Sequence, residues 1–166
     1  MEEVIQREKD LVYRLAFSQC HQKDQADDIF QNVMYRYLKR KPSFKSLEHE
    51  KAWFIRITIN LSKNKVHSFW HRNITLSEEG IFPCHITQQE GELMEIIMGL
   101  PKKYRVVIYL HYYEGYTLTE IAGLLNRSPN TIQTWHKQAK AILRKKIGVD
   151  YDERPSGSNE FVSKDT

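Results

Sequence analysis

The sequence predicts an all-α protein of two small helical domains joined by a flexible linker, with a helix-turn-helix in the C-terminal domain. The composition is 40% hydrophobic and 28% charged, with only seven Gly and five Pro in 166 residues, which is typical of packed helices. Apolar residues recur at helical spacing on both sides of a central segment where this periodicity fails. Two closely spaced helix starts, at Thr117 and Ser128, carry capping residues in the second half.

The N-terminal segment and the apolar runs of the sequence indicate where in the cell the protein is located. No apolar run approaches the roughly 18 residues that are needed to span a bilayer, and the start MEEVIQREKD is too polar for a signal peptide. We therefore expect a cytoplasmic protein with no membrane insertion.

The charge is unevenly placed, although the net value is only +4. Acids lead in residues 1–30, Lys and Arg dominate residues 36–72, and no acid occurs between Glu120 and Asp150. The bases of that acid-free stretch are Arg127, Lys137, Lys140, Arg144, Lys145 and Lys146. A long stretch of one sign indicates a polyanionic partner.

Three helices are predicted in the first half. The first covers residues 2–20. The second lies in DQADDIFQNVMYRYLKRK, whose apolar stripe is Ala26, Ile29, Phe30, Val33, Met34, Tyr37 and Leu38. The third segment, EKAWFIRITINLSKNKVHSFW, alternates like a strand, but it has no visible partner strand and runs about twenty residues without Gly or Pro, which favours a helix.

The domain boundaries follow from these patterns. We expect a first domain at residues 1–72, a linker at 73–91 where Gly, Pro, Ser and Asn break the periodicity, a second domain at 92–148, and a disordered polar tail at 149–166.

Several residues in the second half of the sequence are typical of helix starts and ends. A helix over 93–99 precedes one that Pro101 opens and that stops near Glu114 and Gly115. Thr117 and Glu120 form a capping box, and Ser128 with Pro129 supplies the next N-cap and first helical position. Helical spacing predicts core positions for Tyr109, Tyr112 and Tyr113.

A short helix at 117–125, a tight turn and a basic helix at 129–147 make a helix-turn-helix, which lays its second helix in the major groove. Four short polar side chains can bond base edges: Asn130, Thr131, Gln133 and Thr134. Lys137, Lys140 and Arg144 can reach phosphates. The alternative is a plain helical hairpin with a solvated basic face. The acid-free stretch and the paired caps favour DNA.

From about residue 4 to 147 the chain resembles the extracytoplasmic-function (ECF) group of bacterial sigma factors, which belongs to the sigma-70-like superfamily. DQADDIFQNVMYRY is similar to that group's polymerase-binding helix and AWFIRITINLSKNKV to its promoter-melting helix. LPKKYRVVIYLHYYEGYTLTEIAGLLNRSPNTIQTWHKQAKAILRKKI is similar to its second DNA-binding domain.

The resemblance implies the roles of individual residues and partners. The partners it implies are core RNA polymerase and promoter DNA, and it leaves room for an anti-sigma factor. The C-terminal domain would read the upstream (minus-35) element in duplex form. The N-terminal domain would melt and read the downstream (minus-10) element through Phe44, Lys45, Asn60, Lys63 and Asn64. Core polymerase would meet Asp28, Gln31 and Asn32.

The sequence departs from the group at three of these positions. An Asp is common where Asn64 stands, a Glu where Asn32 stands, and a basic residue where Gln133 stands. The promoter sequence and the choice of anti-sigma factor are therefore open.

The basic front block also has interleaved aromatics, the makeup of a platform for single-stranded DNA, although most of those rings fit a core equally well. The bases are Arg56, Lys63, Lys65 and Arg72, and the rings are Phe44, Trp53, Phe69 and Trp70.

Catalysis and metal binding are not expected. The phosphate-loop, dinucleotide and hydrolase-elbow glycine motifs are missing from the sequence. Cys20 and Cys84 lack the spacing of a zinc site, and His67 with His71 lacks a third ligand. We expect no cofactor, no metal and no enzymatic activity.

Two rival functions share parts of this pattern. A helix-turn-helix regulator that is not a sigma factor would share the back half, but it leaves the basic, aromatic front helix unexplained. An all-helical interaction protein would use its basic faces on an acidic partner. The absence of acids from the second helix of the helix-turn-helix argues against this function.

Overall fold

The computed structural model describes the backbone of residues 1–69 and 95–147 and the side chains of 1–63 and 95–147. The chain divides into two compact units, Met1–Thr87 and Gln88–Thr166. Every regular element in the described ranges is helical, as predicted. The predicted linker at 73–91 and tail at 149–166 lie outside the described residues.

The N-terminal unit packs three helices: α1 (Glu2–Cys20), α2 (Lys23–Arg40) and α3 (Leu47–Phe69). The core includes Leu15 of α1, Ile29 of α2 and Phe54 of α3, all fully buried. The prediction of helix rather than strand for the third segment is confirmed.

The burial pattern of α3 explains why its alternation is misleading. Phe54, Ile55, Thr58, Ile59 and Ser62 are buried, which is the spacing of a helix face and not of a strand. The two buried hydroxyls are satisfied inside the helix, since Thr58 Oγ1 donates to Phe54 O at 2.7 Å and Ser62 Oγ donates to Thr58 O at 2.7 Å.

One residue of the predicted apolar stripe on α2 is not covered. Leu38 is 43% exposed, although Ala26, Ile29 and Val33 are fully buried. Tyr37 lies in line with those three positions and is buried, whereas Leu38 is turned by about 100° from it around the helix axis. Leu38 therefore lies at the edge of the stripe and faces solvent.

The C-terminal unit contains a helical turn at residues 95–98, then α4 (Lys102–Ile108), α5 (Leu118–Leu125) and α6 (Pro129–Ile147). The end of α4 continues as a π-helical turn, Tyr109–Tyr113. A buried cluster joins Ile97, Leu100, Ile108 and Ala139. Lys146 Nζ donates to the carbonyl of Gly99 at 2.9 Å and so ties the end of α6 to the first helical turn.

The prediction that three tyrosines are core residues is wrong for one of them. Tyr109 is fully buried and its ring stacks on Tyr113 at 5.5 Å, but Tyr112 is 54% exposed. The wider π-helical turn changes the angular step between residues and rotates Tyr112 away from the core. Its ring stacks on His136 of α6 instead, with 6.0 Å between centroids.

None of the helices within the described residues is long and apolar enough to cross a membrane.

Candidate nucleic-acid interface

The turn between α5 and α6 is built from local capping. Thr117 Oγ1 accepts from the backbone N–H of Glu120 at 3.1 Å, and Glu120 Oε2 accepts from the backbone N–H of Thr117 at 2.8 Å. Asn126 ends α5 in the left-handed conformation at φ 53°. Ser128 Oγ accepts from the backbone N–H of Thr131 at 3.2 Å, and Ser128 thereby caps the start of α6. This is the helix-turn-helix that the sequence predicts.

Three of the four predicted base-reading residues at the start of α6 are exposed, and the fourth, Thr131, is half-buried. Asn130 and Gln133 are exposed, and their side-chain amides make no hydrogen bond within the described parts of the chain. Thr134 Oγ1 donates to the carbonyl of Asn130 at 2.9 Å, and Thr131 Oγ1 shares a 2.8 Å hydrogen bond with Ser128 Oγ. The two amides are therefore better placed than the two hydroxyls to meet a base edge.

The predicted phosphate-binding residues continue along the same helix. Lys137 and Arg144 are exposed, and Lys140 is half-buried. Tyr112 is half exposed, and the partial burial of its hydroxyl, which lies 3.4 Å from His136 Nε2, raises its pKa. The positive charge of Arg144 acts in the opposite direction, which places these two side chains within electrostatic reach of each other. Tyr112 thus lies beside the cationic helix α6.

A group of cations and rings on α4 and α6 was not identified from the sequence. Lys103 Nζ lies 5.8 Å from the ring centroid of Trp135, and Arg127 Cζ lies 5.8 Å from the same centroid. The hydroxyl of Tyr104 contacts Oε1 of Gln138. Contacts between separate helices leave no pattern in the local sequence. The only sequence feature that points to this group is the basic residue Arg127 in the acid-free stretch.

In the N-terminal unit, Phe44 lies in an aromatic cluster just before α3. Its half-buried ring stacks on Tyr37 at 6.5 Å and meets Trp53 at 5.9 Å. The pKa of Tyr37 is raised by burial and by the nearby Glu50. The Phe44 ring is thus packed against the other rings of the cluster and does not project freely into solvent.

His49 holds the connection that carries Phe44 and Lys45. Its Nδ1 accepts from the backbone N–H of Lys45 at 3.3 Å, and its ring meets Phe44 edge-on at 5.7 Å. The backbone N–H of His49 in turn donates to Ser46 Oγ at 3.1 Å, which caps the start of α3. The side chain of Lys45 is exposed.

The remaining predicted minus-10 residues lie further along α3. Asn60 and Lys63 are exposed and three residues apart, so they share a face. Asn60 is also seven residues after Trp53, which puts it on that ring's side of the helix, about 10 Å along the axis. Asn64 lies in α3, but its side chain is not among the described ones. The same holds for the side chains of Lys65, His67 and Phe69. The described backbone does not include Trp70, His71, Arg72 or Cys84.

The predicted polymerase-binding residues form one exposed face of α2. Asp28, Gln31 and Asn32 are all exposed, and Asn32 Nδ2 donates to the carbonyl of Asp28 at 2.7 Å. Tyr35, which is 61% exposed, extends this face by one turn. From the sequence, Tyr35 is assigned neither to the apolar stripe nor to this face.

Two family models match the chain. Residues 4–71 match "Sigma-70 region 2" and residues 90–143 match "Sigma-70, region 4". The chain belongs to the sigma-70 family. These two matches cover the N-terminal helices and the helix-turn-helix respectively, so both halves of the sigma factor are accounted for.

Curated relatives confirm the resemblance to the ECF group. This sigma factor is 27% identical over 138 residues to RNA polymerase sigma factor SigV of Bacillus subtilis (strain 168), covering 80% of this chain and 81% of that one. It is 26% identical over 157 residues to ECF RNA polymerase sigma factor SigW of the same organism, covering 84% of each chain.

Solved structures support the fold. The sigma factor RpoE from Bartonella quintana, in complex with the anti-sigma factor NepR, matches with a TM-score of 0.74 at 17% identity, covering 90% of this chain and 97% of that one. CnrH in complex with the cytosolic domain of CnrY matches with a TM-score of 0.60 at 16% identity, covering 90% and 88%.

Proposed function

We propose that this chain is an alternative sigma factor that binds core RNA polymerase and directs it to specific promoters. The observation that carries the proposal is that region 2 and region 4 both occur in one chain, each on its own helical unit. A regulator built on a helix-turn-helix alone has no need of the region 2 unit.

The C-terminal unit is proposed to read the minus-35 element. Asn130 and Gln133 present unengaged amides on the exposed side of α6, and an amide can pair with a base edge in the major groove. Thr131 and Thr134 lie beside them with hydroxyls already bonded locally. The phosphate contacts are assigned to Lys137, Lys140 and Arg144.

The N-terminal unit is proposed to open and read the minus-10 element. The aromatic cluster around Phe44 and Trp53 lies on the same side of α3 as Asn60, about 10 Å from it along the axis, and Asn60 and Lys63 are exposed. Aromatic rings with nearby cations bind unstacked bases of single-stranded DNA. Lys45 and Asn64 complete this assignment.

The exposed face of α2 is proposed to bind core polymerase through Asp28, Gln31 and Asn32. An acidic and polar face suits a basic surface on the partner. An anti-sigma factor is a further proposed partner, because one of the similar structures is a sigma factor held by such a factor. The protein would work as a binding factor and not as an enzyme, in the cytoplasm, where the polymerase and the chromosome are.

The experiment that tests this function compares the purified chain with and without core RNA polymerase. We expect it to bind core polymerase in a pull-down and to retain a promoter duplex strongly only in the presence of polymerase. The rival regulator predicts strong binding to its operator by the chain alone and no association with polymerase, and that result would overturn the proposal.

A further inference from the structure

Two cations from separate parts of the C-terminal unit converge on one indole ring. Lys103 belongs to the first turn of α4, Arg127 to the turn between α5 and α6, and Trp135 to α6. Both cationic groups lie 5.8 Å from the Trp135 ring centroid, and Lys103 Nζ also lies 4.9 Å from the ring centroid of its neighbour Tyr104. All three distances are within the range of cation–π attraction. Lys103, Arg127 and Trp135 are called the cationic cluster below.

The charge of this cluster is not neutralised by the described parts of the chain. Lys103 and Arg127 are exposed, and neither forms an ion pair with a carboxylate of the described residues. A ring attracts a cation but carries no net charge, so the two like charges remain. Two cations beside one ring repel each other, and an anionic partner would offset that repulsion.

The cluster is fixed beside the start of the recognition helix α6. Trp135 follows Thr134 directly and is turned from it by about 100° around the helix axis. The contact between Tyr104 and Gln138 ties α4 to α6 next to the ring. By the same geometry Trp135 is turned by about 140° from Asn130 and by about 160° from Gln133. The cations on its ring therefore lie off the face that carries these two amides, beyond Thr134 at the edge of that face.

A helix seated in the major groove has a sugar–phosphate strand on each side. We infer that Lys103 and Arg127, held in position by Trp135, bind backbone phosphates of one strand beside the bases that α6 reads. This inference rests on the proposed reading of duplex DNA by α6. Such contacts fix the position of the helix on the duplex and add affinity that does not depend on sequence.

The test measures how the affinity of the full chain with core polymerase for DNA depends on salt. The probes are a promoter duplex selected from a random library by the parent holoenzyme and a scrambled duplex of equal length. For Lys103→Ala and Arg127→Ala we expect the plot of log affinity against log salt to become less steep by about one unit each, with similar losses on both duplexes. Lys9→Ala, which removes one half-buried Lys from the other unit, is the matched control and should leave the slope unchanged.

The role of the ring is tested at constant charge. Trp135→Leu keeps both cations but removes the ring that they share, which leaves Lys103 only the Tyr104 ring and Arg127 neither of the two. Affinity should therefore fall on both duplexes, and Trp135→Phe should restore most of it. Circular dichroism checks that each variant is folded. If Trp135→Leu binds as well as the parent while staying folded, the ring has no positioning role and that part of the inference is wrong.

The remaining outcomes separate failure of the inference from failure of the function. If Lys137→Ala lowers the slope but Lys103→Ala and Arg127→Ala do not, α6 binds DNA and the cationic cluster does not. If the cluster variants weaken association with core polymerase at an unchanged slope, the cluster meets an acidic protein surface, which also overturns the inference. If the parent holoenzyme selects no duplex at all, the proposed function itself fails.

Discussion

Arg7 of α1 donates two hydrogen bonds to Glu50 Oε1 of α3, from Nε at 3.0 Å and from the terminal nitrogen Nη2 at 2.7 Å. Glu50 is only 5% exposed, so its carboxylate depends on this partner. The hydrogen bond to Glu50 raises the pKa of Arg7. The pair ties the first helix of the unit to the start of the helix that carries Asn60 and Lys63.

The first prediction concerns the stability of the N-terminal unit. Glu50→Gln removes the charge that Arg7 bonds while keeping the side-chain shape, so we expect the midpoint of thermal unfolding to fall by on the order of 5 °C. Asp10→Asn, at an exposed carboxylate on α1, is the control and should change the midpoint little. Equal midpoints for both variants and the parent would show that the pair does not stabilise the fold.

The second prediction concerns base reading by α6. Gln133→Ala should cost about 1 to 3 kcal/mol in binding of the holoenzyme to its preferred upstream element, and should relax the preference at one base position. Competition binding against a set of single-base variants of the element measures both effects. A loss of the same size on every variant would assign Gln133 to the DNA backbone instead.

The third prediction concerns the exposed face of α2. Asp28→Lys should weaken association with core polymerase at least tenfold, because the reversed charge would face a basic surface, while the exposed position leaves the fold intact. Glu2→Lys, which makes the same charge change at an exposed site on α1, should associate normally. Quantitative pull-down with core polymerase is the measurement, and normal affinity of Asp28→Lys would remove this face from the interface.

The fourth prediction concerns promoter opening. Extruding a base from the stack costs a few kcal/mol, which contacts in the pocket must offset. The double change Asn60→Ala with Lys63→Ala should therefore leave polymerase assembly nearly normal and strongly reduce opening of an intact promoter. Permanganate reactivity of unpaired thymines measures the opening.

A template with a pre-melted bubble is the control for this double variant. It should restore much of the transcription, since the step that Asn60 and Lys63 assist is already complete. Parental permanganate reactivity in the double variant would contradict the melting role of this side of α3.

Local sequence signals predicted the helices and the helix-turn-helix well. The capping box of Thr117 and Glu120 and the N-cap at Ser128 depend on residues that are three positions apart. These caps can therefore be predicted from the sequence alone. The prediction of a helix for the strand-like segment of α3 is confirmed, and its basis is that a lone strand would leave its backbone groups without a partner.

Features that depend on packing between elements were not predictable. Tyr112 faces outward because of a π-helical turn that no local pattern announces, and Leu38 lies at the edge of a stripe whose width is set by neighbouring helices. The local hydrogen bonds of the Thr131 and Thr134 hydroxyls, within α6 and its N-cap, are also visible only in the structure. The cationic cluster joins three elements that are distant in sequence.

Transcription from a promoter library tests the central claim most directly. Core RNA polymerase is incubated with the full chain and a library of randomised upstream DNA, and the transcripts are mapped by their start sites. The account predicts starts that depend on the added chain and share two sequence elements at a fixed spacing, with Gln133→Ala relaxing only the upstream element. Transcripts no more abundant or specific than those made by core polymerase alone would contradict it.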